Sequence, residues 1–362
     1  MAIVNTEFWH GRSVLVTGHT GFKGGWLSLW LHALGAHVHG YALDPVTQPS
    51  LFEVAGVASF TASDTRADLA DVGRLMSVAD RAQPSVVFHL AAQPLVRESY
   101  RDPLGTLATN VLGTAHVLEA VRRTPSVRAV VVVTTDKVYV QRNGARPYTE
   151  DDQLGGHDPY SASKAAAEII TASYRSSFLR GDGDRQARVA TARAGNVIGG
   201  GDWAADRLIP DCVRAFTSGQ PASLRYPHAV RPWQHVLEPL SGYLQLAERL
   251  AGPDGALYAQ AWNFGPDGRN DATVTEVAHL LAGMWGPGAA VVHASSEGNP
   301  HEADTLRLDS SRACRDLGWR PRWSLREGLD RAIAWYRAWD RREDMAEISA
   351  RQIAEYLSAA QL

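Results

Sequence analysis

The run Val130-Val131-Val132-Val133-Thr134-Thr135-Asp136-Lys137-Val138-Tyr139 decides the fold. Four β-branched residues in a row, closed off by polar ones, predict a strand buried on both faces, as in the middle of a parallel sheet. The strand ends in a hydroxyl, a carboxylate and an amine, at Thr135, Asp136 and Lys137. Open α/β sheets bind ligands beyond the carboxyl ends of their strands, so this cluster is expected to face a ligand. Tyr160-Ser161-Ala162-Ser163-Lys164 begins 25 residues after Thr135. It puts a phenol and a second amine at i and i+4, on one face of a helix.

Toward the N-terminus, Ser13 to Val16 is a short apolar run leading into Thr17-Gly18-His19-Thr20-Gly21-Phe22-Lys23-Gly24. Leu27, Trp30, Leu31 and Leu34 follow with the i, i+3, i+4, i+7 spacing of an amphipathic helix. The glycines therefore lie in a strand-to-helix turn, where backbone N–H groups and the positive end of the helix can meet a pyrophosphate with no side chain between them. Gly18, Gly21, Phe22, Lys23 and Gly24 are the expected dinucleotide contacts. A second strand, His37 to Leu43, ends at Asp44, 20 residues past Gly24. A carboxylate there accepts from a ribose 2′-hydroxyl and repels a 2′-phosphate, so the expected cofactor is NAD rather than NADP unless a neighbouring basic residue offsets Asp44.

The alternation continues through a strand at Val86 to Leu90, opening into Ala91-Ala92-Gln93, and a helix from Asn110 to Arg122 with Thr114, Val117, Leu118 and Val121 on one face. After the valine strand come the Tyr160 helix, with Ala166, Ile169 and Ile170 on its expected inner face, and a strand from Val189 to Ala194. Five strands separated by helices predict an α/β, doubly wound parallel sheet of Rossmann type. Beyond it lie a Gly- and Asp-rich loop from Gly195-Asn196 to Trp203, a helix opening at Arg207, a Pro-broken segment from Arg225 to Trp233, and a C-terminal helix with Leu329, Ile333 and Tyr336 in register. Residues 1–196 with about 229–265 are expected to form the NAD-binding domain, and about 197–228 with 266–362 a smaller substrate-binding domain ending in helices.

Composition narrows the function. Apolar residues at 45% and charged residues at 21% are those of an ordinary globular protein, and a net charge of −3 without a basic stripe speaks against nucleic-acid or membrane-surface binding. Cys212 and Cys314 share no metal-binding or disulfide spacing, which implies a reducing compartment. No apolar run approaches the roughly 20 residues of a membrane span, and the first residues lack a signal-peptide pattern. A cytoplasmic location is expected. His32, His37 and His39 straddle a helix end and a strand, so packing explains them better than a metal site.

For chemistry, Lys164 beside Tyr160 would stabilise the phenolate and lower its pKa from about 10, making it a base near neutral pH. Thr135 can share the same substrate oxygen. Alone, a tyrosine and a lysine four residues apart are an ordinary helix pair. Beside a dinucleotide turn and a hydroxyl-bearing strand end, they are suited to take a proton from a carbinol as its hydride departs. The plain alternative for Asp136-Lys137 is a surface ion pair. Arg207, Arg225 and Arg231 suit the diphosphate of a nucleotide substrate, each with a solvated surface arginine as the alternative. His89 is expected to shape its strand end.

Thr17 to Gly24, His89-Leu90-Ala91-Ala92, Thr135, and Tyr160 to Lys164 resemble the extended short-chain dehydrogenase/reductases that modify sugar nucleotides. Asp136 beside the hydroxyl resembles the nucleoside-diphosphate-hexose 4,6-dehydratases, in which Thr-Asp-Glu is common. Thr-Asp-Lys, with Gly18-His19-Thr20-Gly21-Phe22-Lys23-Gly24, Arg231-Pro232-Trp233-Gln234-His235-Val236 and His301-Glu302-Ala303, looks most like the branch acting on CDP-glucose. The resemblance implies bound NAD regenerated in each turnover, with Asp64, Leu90, Ala91, Ala92 and Thr109 added to its contacts. It implies Gln93, Asn196 and His301 as further substrate contacts, and a homodimer. It also implies Tyr160 as base at the C4 hydroxyl, Asp136 as acid at the C6 hydroxyl, and Lys137 where relatives carry the C5 base, with burial beside Lys164 expected to lower the Lys137 pKa. Dehydratases of dTDP-glucose or UDP-N-acetylglucosamine, and plain epimerases, are the alternatives.

Overall fold

The valine run forms a strand, β5 (Ala129–Val133), in which every residue is buried. Val131 and Val133 join one apolar cluster, and Val130 and Val132 join the cluster on the opposite face. That is the two-residue period of a strand covered on both sides. The computed structural model describes residues 4–142, 146–179, 187–266, 271–294 and 306–359. Within it β5 belongs to a seven-stranded sheet with β1 (Ser13–Thr17), β2 (His37–Ala42), β3 (Ser63–Arg66), β4 (Val86–His89), β6 (Arg188–Ala194) and β7 (Ala261–Phe264). The order is β7-β6-β5-β4-β1-β2-β3, and every neighbouring pair is parallel. The direction of winding reverses between β1 and β4, and ligands of such sheets bind at that crevice.

The five expected strands are present, with two more at the edges. β3 is a polar stretch, Ser-Asp-Thr-Arg, without apolar alternation, and it is held by pairing to β2 with Asp64 opposite Gly40. β7 pairs with β6, Trp262 opposite Ala192. Neither carries a strand pattern of its own. Tertiary pairing makes them strands.

Two helix faces differ from expectation. α1 (Phe22–Ala33) is buried on every residue from Gly24 to Leu31, so it is not amphipathic. Its outer side is covered by later helices. Tyr356 of the C-terminal helix, Met345–Ser358, meets Trp30 edge-on with ring centroids 5.5 Å apart. The Tyr160 helix, Pro159–Ser177, starts with a capping box between Asp158 and Ser161. It turns Tyr160, Ser163, Lys164, Ala167, Glu168 and Thr171 inward, while Ile169 is 60% exposed and Ala166 and Ile170 are half-buried. A polar network selects this face. Glu168 accepts hydrogen bonds from Thr134 and Thr191 on the sheet and from two nitrogens of Arg193 on β6. The region from Asn110 to Arg123 is helical, beginning in a wide π-type turn at Ala108–Leu112.

Candidate active site

At the carboxyl ends of β1, β4, β5 and β6 lies a cavity of about 510 Å³. Its floor is the glycine turn. Gly18 has φ +79°, and a Cβ there would lie 2.6 Å from the Ala91 nitrogen; one on Gly24 would lie 2.1 Å from the Gly18 carbonyl oxygen. These glycines let the β1 turn, the first turn of α1 and the β4 end pack against one another. α1 starts at Gly21 with no side chain capping it and no acidic residue in its first turn, which leaves its N–H groups for a ligand.

His89 ties two strand ends together. Its Nδ1 is 2.7 Å from Thr17 Oγ1 and its Nε2 is 3.1 Å from Thr114 Oγ1, and burial, helped by the charge of Lys164, pushes its pKa down to about 3. It is a neutral structural residue. At the β5 end, Thr135 Oγ1 donates to Asp136 Oδ1 at 2.9 Å and accepts from the Lys137 backbone N–H at 3.4 Å. Lys137 Nζ is 3.7 Å from Asp136 Oδ1; the carboxylate side chain is 2% exposed and the lysine 26%. Lys137 is thus partly exposed and set against Asp136. Lys23 also feels the charge of Lys164: it is pushed down to about 7 by burial and then by Arg207 and Lys164.

Tyr160 also differs from expectation. Burial pushes the phenol up to about 12, a hydrogen bond with Thr135 pulls it the other way, and Asp136 adds a further upward push. Lys164, itself lowered to about 8 by burial, donates to the Val133 carbonyl oxygen at 3.1 Å. In this arrangement the hydroxyl of Thr135 and the charge of Arg207, rather than the ammonium of Lys164, favour the phenolate. Arg207 pairs with Asp202 at 2.8 Å, and its charge is felt by both Tyr160 and Lys23.

The other expected cofactor contacts divide. Gly18, Gly21, Phe22, Lys23, Gly24, Asp44, Leu90, Ala91, Ala92 and Thr109 line the cavity. Asp64 does not. It bonds His19 at 2.8 Å and Arg66 at 2.7 Å, and these partners hold its carboxyl low although burial opposes them. Arg66 also reaches Asp44 at 3.0 Å, so a basic residue does stand beside the expected ribose acceptor, whose side chain is 86% exposed. Of the substrate contacts, Asn196, Arg207, Arg225 and Arg231 line the cavity. Arg225 is paired with Asp206 at 2.6 Å, and Arg231 is 3% exposed. Gln93 is turned away: its amide bonds Leu95 and Thr106, locking the loop after β4. His301 lies outside the described residues.

One placement escaped the sequence reading although its signal was there. The chain has only three lysines, Lys23, Lys137 and Lys164, among 36 basic residues. All three line this cavity, while arginines supply every other cation. A long amine on the glycine turn therefore reaches the catalytic end as well as the dinucleotide end. The Glu168–Arg193 pair was also missed, although Glu168 follows Lys164 by one helical turn.

The family model described as GDP-mannose 4,6 dehydratase matches residues 15–332. The chain belongs to that family. Among curated relatives, the CDP-glucose 4,6-dehydratase of Salmonella typhimurium is 48% identical over 99% of both chains. A dTDP-glucose 4,6-dehydratase of Streptomyces antibioticus is 32% identical over 90% of this chain and 92% of its own. Among solved structures, MoeE5 in complex with UDP-glucuronic acid and NAD superimposes with a TM-score of 0.74 at 28% identity, covering 90% of this chain and 99% of that one. The dTDP-glucose 4,6-dehydratase of Bacillus anthracis, in complex with NAD, shares the fold with a TM-score of 0.74 at 21% identity over 92% and 99%. The GDP-mannose 4,6-dehydratase family match begins within β1 and runs past β7, and so takes in the glycine turn at the cavity floor.

Proposed function

We propose that this chain dehydrates CDP-glucose to CDP-4-keto-6-deoxyglucose, with NAD as a tightly held cofactor. The observation that carries the reading is the carboxyl end of β5, where Thr135, the buried Asp136 and Lys137 share one cavity with Tyr160 and Lys164. A dehydrogenase or epimerase needs the tyrosine and the lysine but has no use for a buried acid beside them.

The residues fit NAD. The glycine turn and the uncapped start of α1 suit a pyrophosphate, and the cavity extends from there past Ala91 and Ala92 to Tyr160. NAD would accept the hydride from C4 and return it to C6, and so leave the reaction unchanged. The protein does the rest. Tyr160 takes the proton of the C4 hydroxyl. The resulting ketone acidifies the C5 proton, which Lys137 removes in its neutral form while Asp136 protonates the departing C6 hydroxyl. The C5 proton then returns to C5 as the hydride reaches C6. Arg207, Arg225, Arg231 and Asn196 are suited to hold the diphosphate of the substrate, and by this reading residues 197–228 and 266–362 form the substrate-binding side.

A homodimer in the cytoplasm completes the proposal. Supporting it are exposed apolar side chains on the helices around Asn110 and Tyr160, namely Leu104, Leu107, Leu112 and Ile169, together with the two free cysteines. Two measurements test the function. Incubation with CDP-glucose should give the alkali-induced absorbance of a 4-keto-6-deoxy sugar, and dTDP-glucose and UDP-glucose should give little; turnover of another nucleotide in its place would remove the assignment of the base. Lys137→Ala should lose exchange of the C5 proton with solvent deuterium while single-turnover C4 oxidation survives. Retained exchange would move the base role to another group.

A further inference from the structure

At the dinucleotide end of the cavity, a guanidinium is held so that one N–H points at Asp44. Arg66, the last residue of β3, donates from Nε to Asp64 Oδ1 at 2.7 Å and from a terminal nitrogen to Asp64 Oδ2 at 2.9 Å. This two-point fork fixes the plane of the guanidinium as well as its charge. The guanidinium carbon also lies over the Phe52 ring, 4.4 Å from its centroid. Asp64 is fixed in turn. Nε2 of His19, a fully buried residue of the glycine turn, is 2.8 Å from Asp64 Oδ1. The imidazole reaches across β2 to β3 because Gly40 stands opposite Asp64 in the register; a Cβ on Gly40 would lie 2.3 Å from His19 Cδ2. The turn, β2 and β3 thus set the arginine in place without help from Asp44.

The third contact of Arg66 is of another kind. Its remaining terminal nitrogen donates to Asp44 Oδ1 at 3.0 Å, and the Asp44 side chain is 86% exposed. Asp44 lines the cavity, and Arg66 backs it. An exposed pair of this sort holds weakly, because water competes for both partners. With Asp44 taken as the ribose acceptor, on which this inference rests, the carboxylate that repels a 2′-phosphate brings its own countercharge. An anion in place of Asp44 Oδ1 would meet the same N–H, on a guanidinium that Asp64 and Phe52 keep in position. We propose that Arg66 is a specificity-determining residue: it forms an anion site that Asp44 occupies, and NAD is selected over NADP by the Asp44–Arg66 pair rather than by Asp44 alone. The anion that the site would take once Asp44 is removed is the 2′-phosphate of NADP.

Equilibrium dialysis of the full-length protein against NAD, NADP and mixtures of the two reads each affinity without requiring turnover. Asp44→Ser removes the carboxylate and leaves the arginine uncovered. NADP should then bind about 10-fold or more tightly than to the wild type, the worth of one charge-assisted hydrogen bond, while NAD binds more weakly. Adding Arg66→Met to Asp44→Ser should cancel the gain for NADP and change NAD little. Arg66→Met alone leaves Asp44 without its countercharge, so the preference for NAD over NADP should widen. A gain in NADP affinity that survives Arg66→Met would overturn the role of Arg66 and leave Asp44 as the sole determinant. NADP affinity that fails to rise in Asp44→Ser, while NAD affinity falls, would also overturn the anion site, with the ribose contact intact. If neither affinity changes, Asp44 is not the ribose acceptor, and the reading beneath the proposal falls with it. Should Arg66→Met fail to fold once Asp64 loses its partner, Arg66→Gln, which keeps N–H donors without the charge, carries the same comparison.

Discussion

Glu168→Gln removes one charge from a site where every bond is accounted for. Glu168 Oε1 accepts from Thr134 at 2.5 Å and from Arg193 Nε at 2.9 Å; Oε2 accepts from Thr191 at 2.6 Å and from a terminal nitrogen of Arg193 at 2.9 Å. Both side chains of the ion pair are 3% exposed. Glutamine keeps the shape but turns an N–H₂ toward Arg193, leaving a buried guanidinium with no countercharge in contact. Breaking such a pair from one side costs about 3–5 kcal/mol, against a total stability of about 5–15 kcal/mol for a folded protein. Urea unfolding of the variant should show that loss, and Arg193→Met should match it. The double variant Glu168→Leu with Arg193→Met should lose less than the two single changes added together, because neither charge is left alone. Burial pushes the Glu168 carboxyl up, but Arg193 and the two threonines hold it below the usual range. Its folded pKa is therefore depressed. The stability it adds is complete above the unfolded pKa of about 4.3 and disappears as pH falls through the folded value, so the gap between wild type and Glu168→Gln should begin to narrow as pH falls below about 4.3 and keep narrowing toward the depressed folded value. A loss under about 1 kcal/mol at pH 7 would refute the reasoning and make the network dispensable.

Gly24→Ala should abolish NAD binding in a calorimetric titration, since its Cβ would sit 2.1 Å from the Gly18 carbonyl oxygen and the turn would have to open; an unchanged affinity would mean that the turn adjusts freely. Lys23→Met should stabilise the cofactor-free protein at and below pH 7. Burial and the nearby cations lower Lys23 from 10.5 to about 7, so the unfolded chain binds the extra proton between those values and the penalty is relieved as pH rises. The gain in Tm from Lys23→Met should therefore shrink from pH 7 toward pH 10, and a gain constant with pH would exclude titration of Lys23 as its source.

The sequence by itself determined the frame. Local periodicity wrote out the five inner strands and the helices between them, because a strand covered on both faces needs an unbroken apolar run and β5 has one in Ala129–Val133. Glycine spacing located the turn, because Gly18 at φ +79° and the close approach at Gly24 tolerate no side chain. Tertiary structure decided what local signals do not carry. β3 and β7 became strands through pairing with neighbours. α1 lost its expected exposed face because Met345–Ser358, more than 300 residues later, packs on it. The Tyr160 helix chose its inner face through Glu168 and Arg193, a polar contact that hydrophobic periodicity does not register. The roles of the three lysines also follow from placement. Sequence spacing put Lys164 beside Tyr160, but the folded chain turns Lys164 to the Val133 carbonyl, sets Lys137 against Asp136 and brings Lys23 from the glycine turn into the same cavity. Residue type supplies the functional groups of a site. Which of them share a hydrogen bond, and which titrate together, depends on distances that exist only once distant strands have been laid side by side.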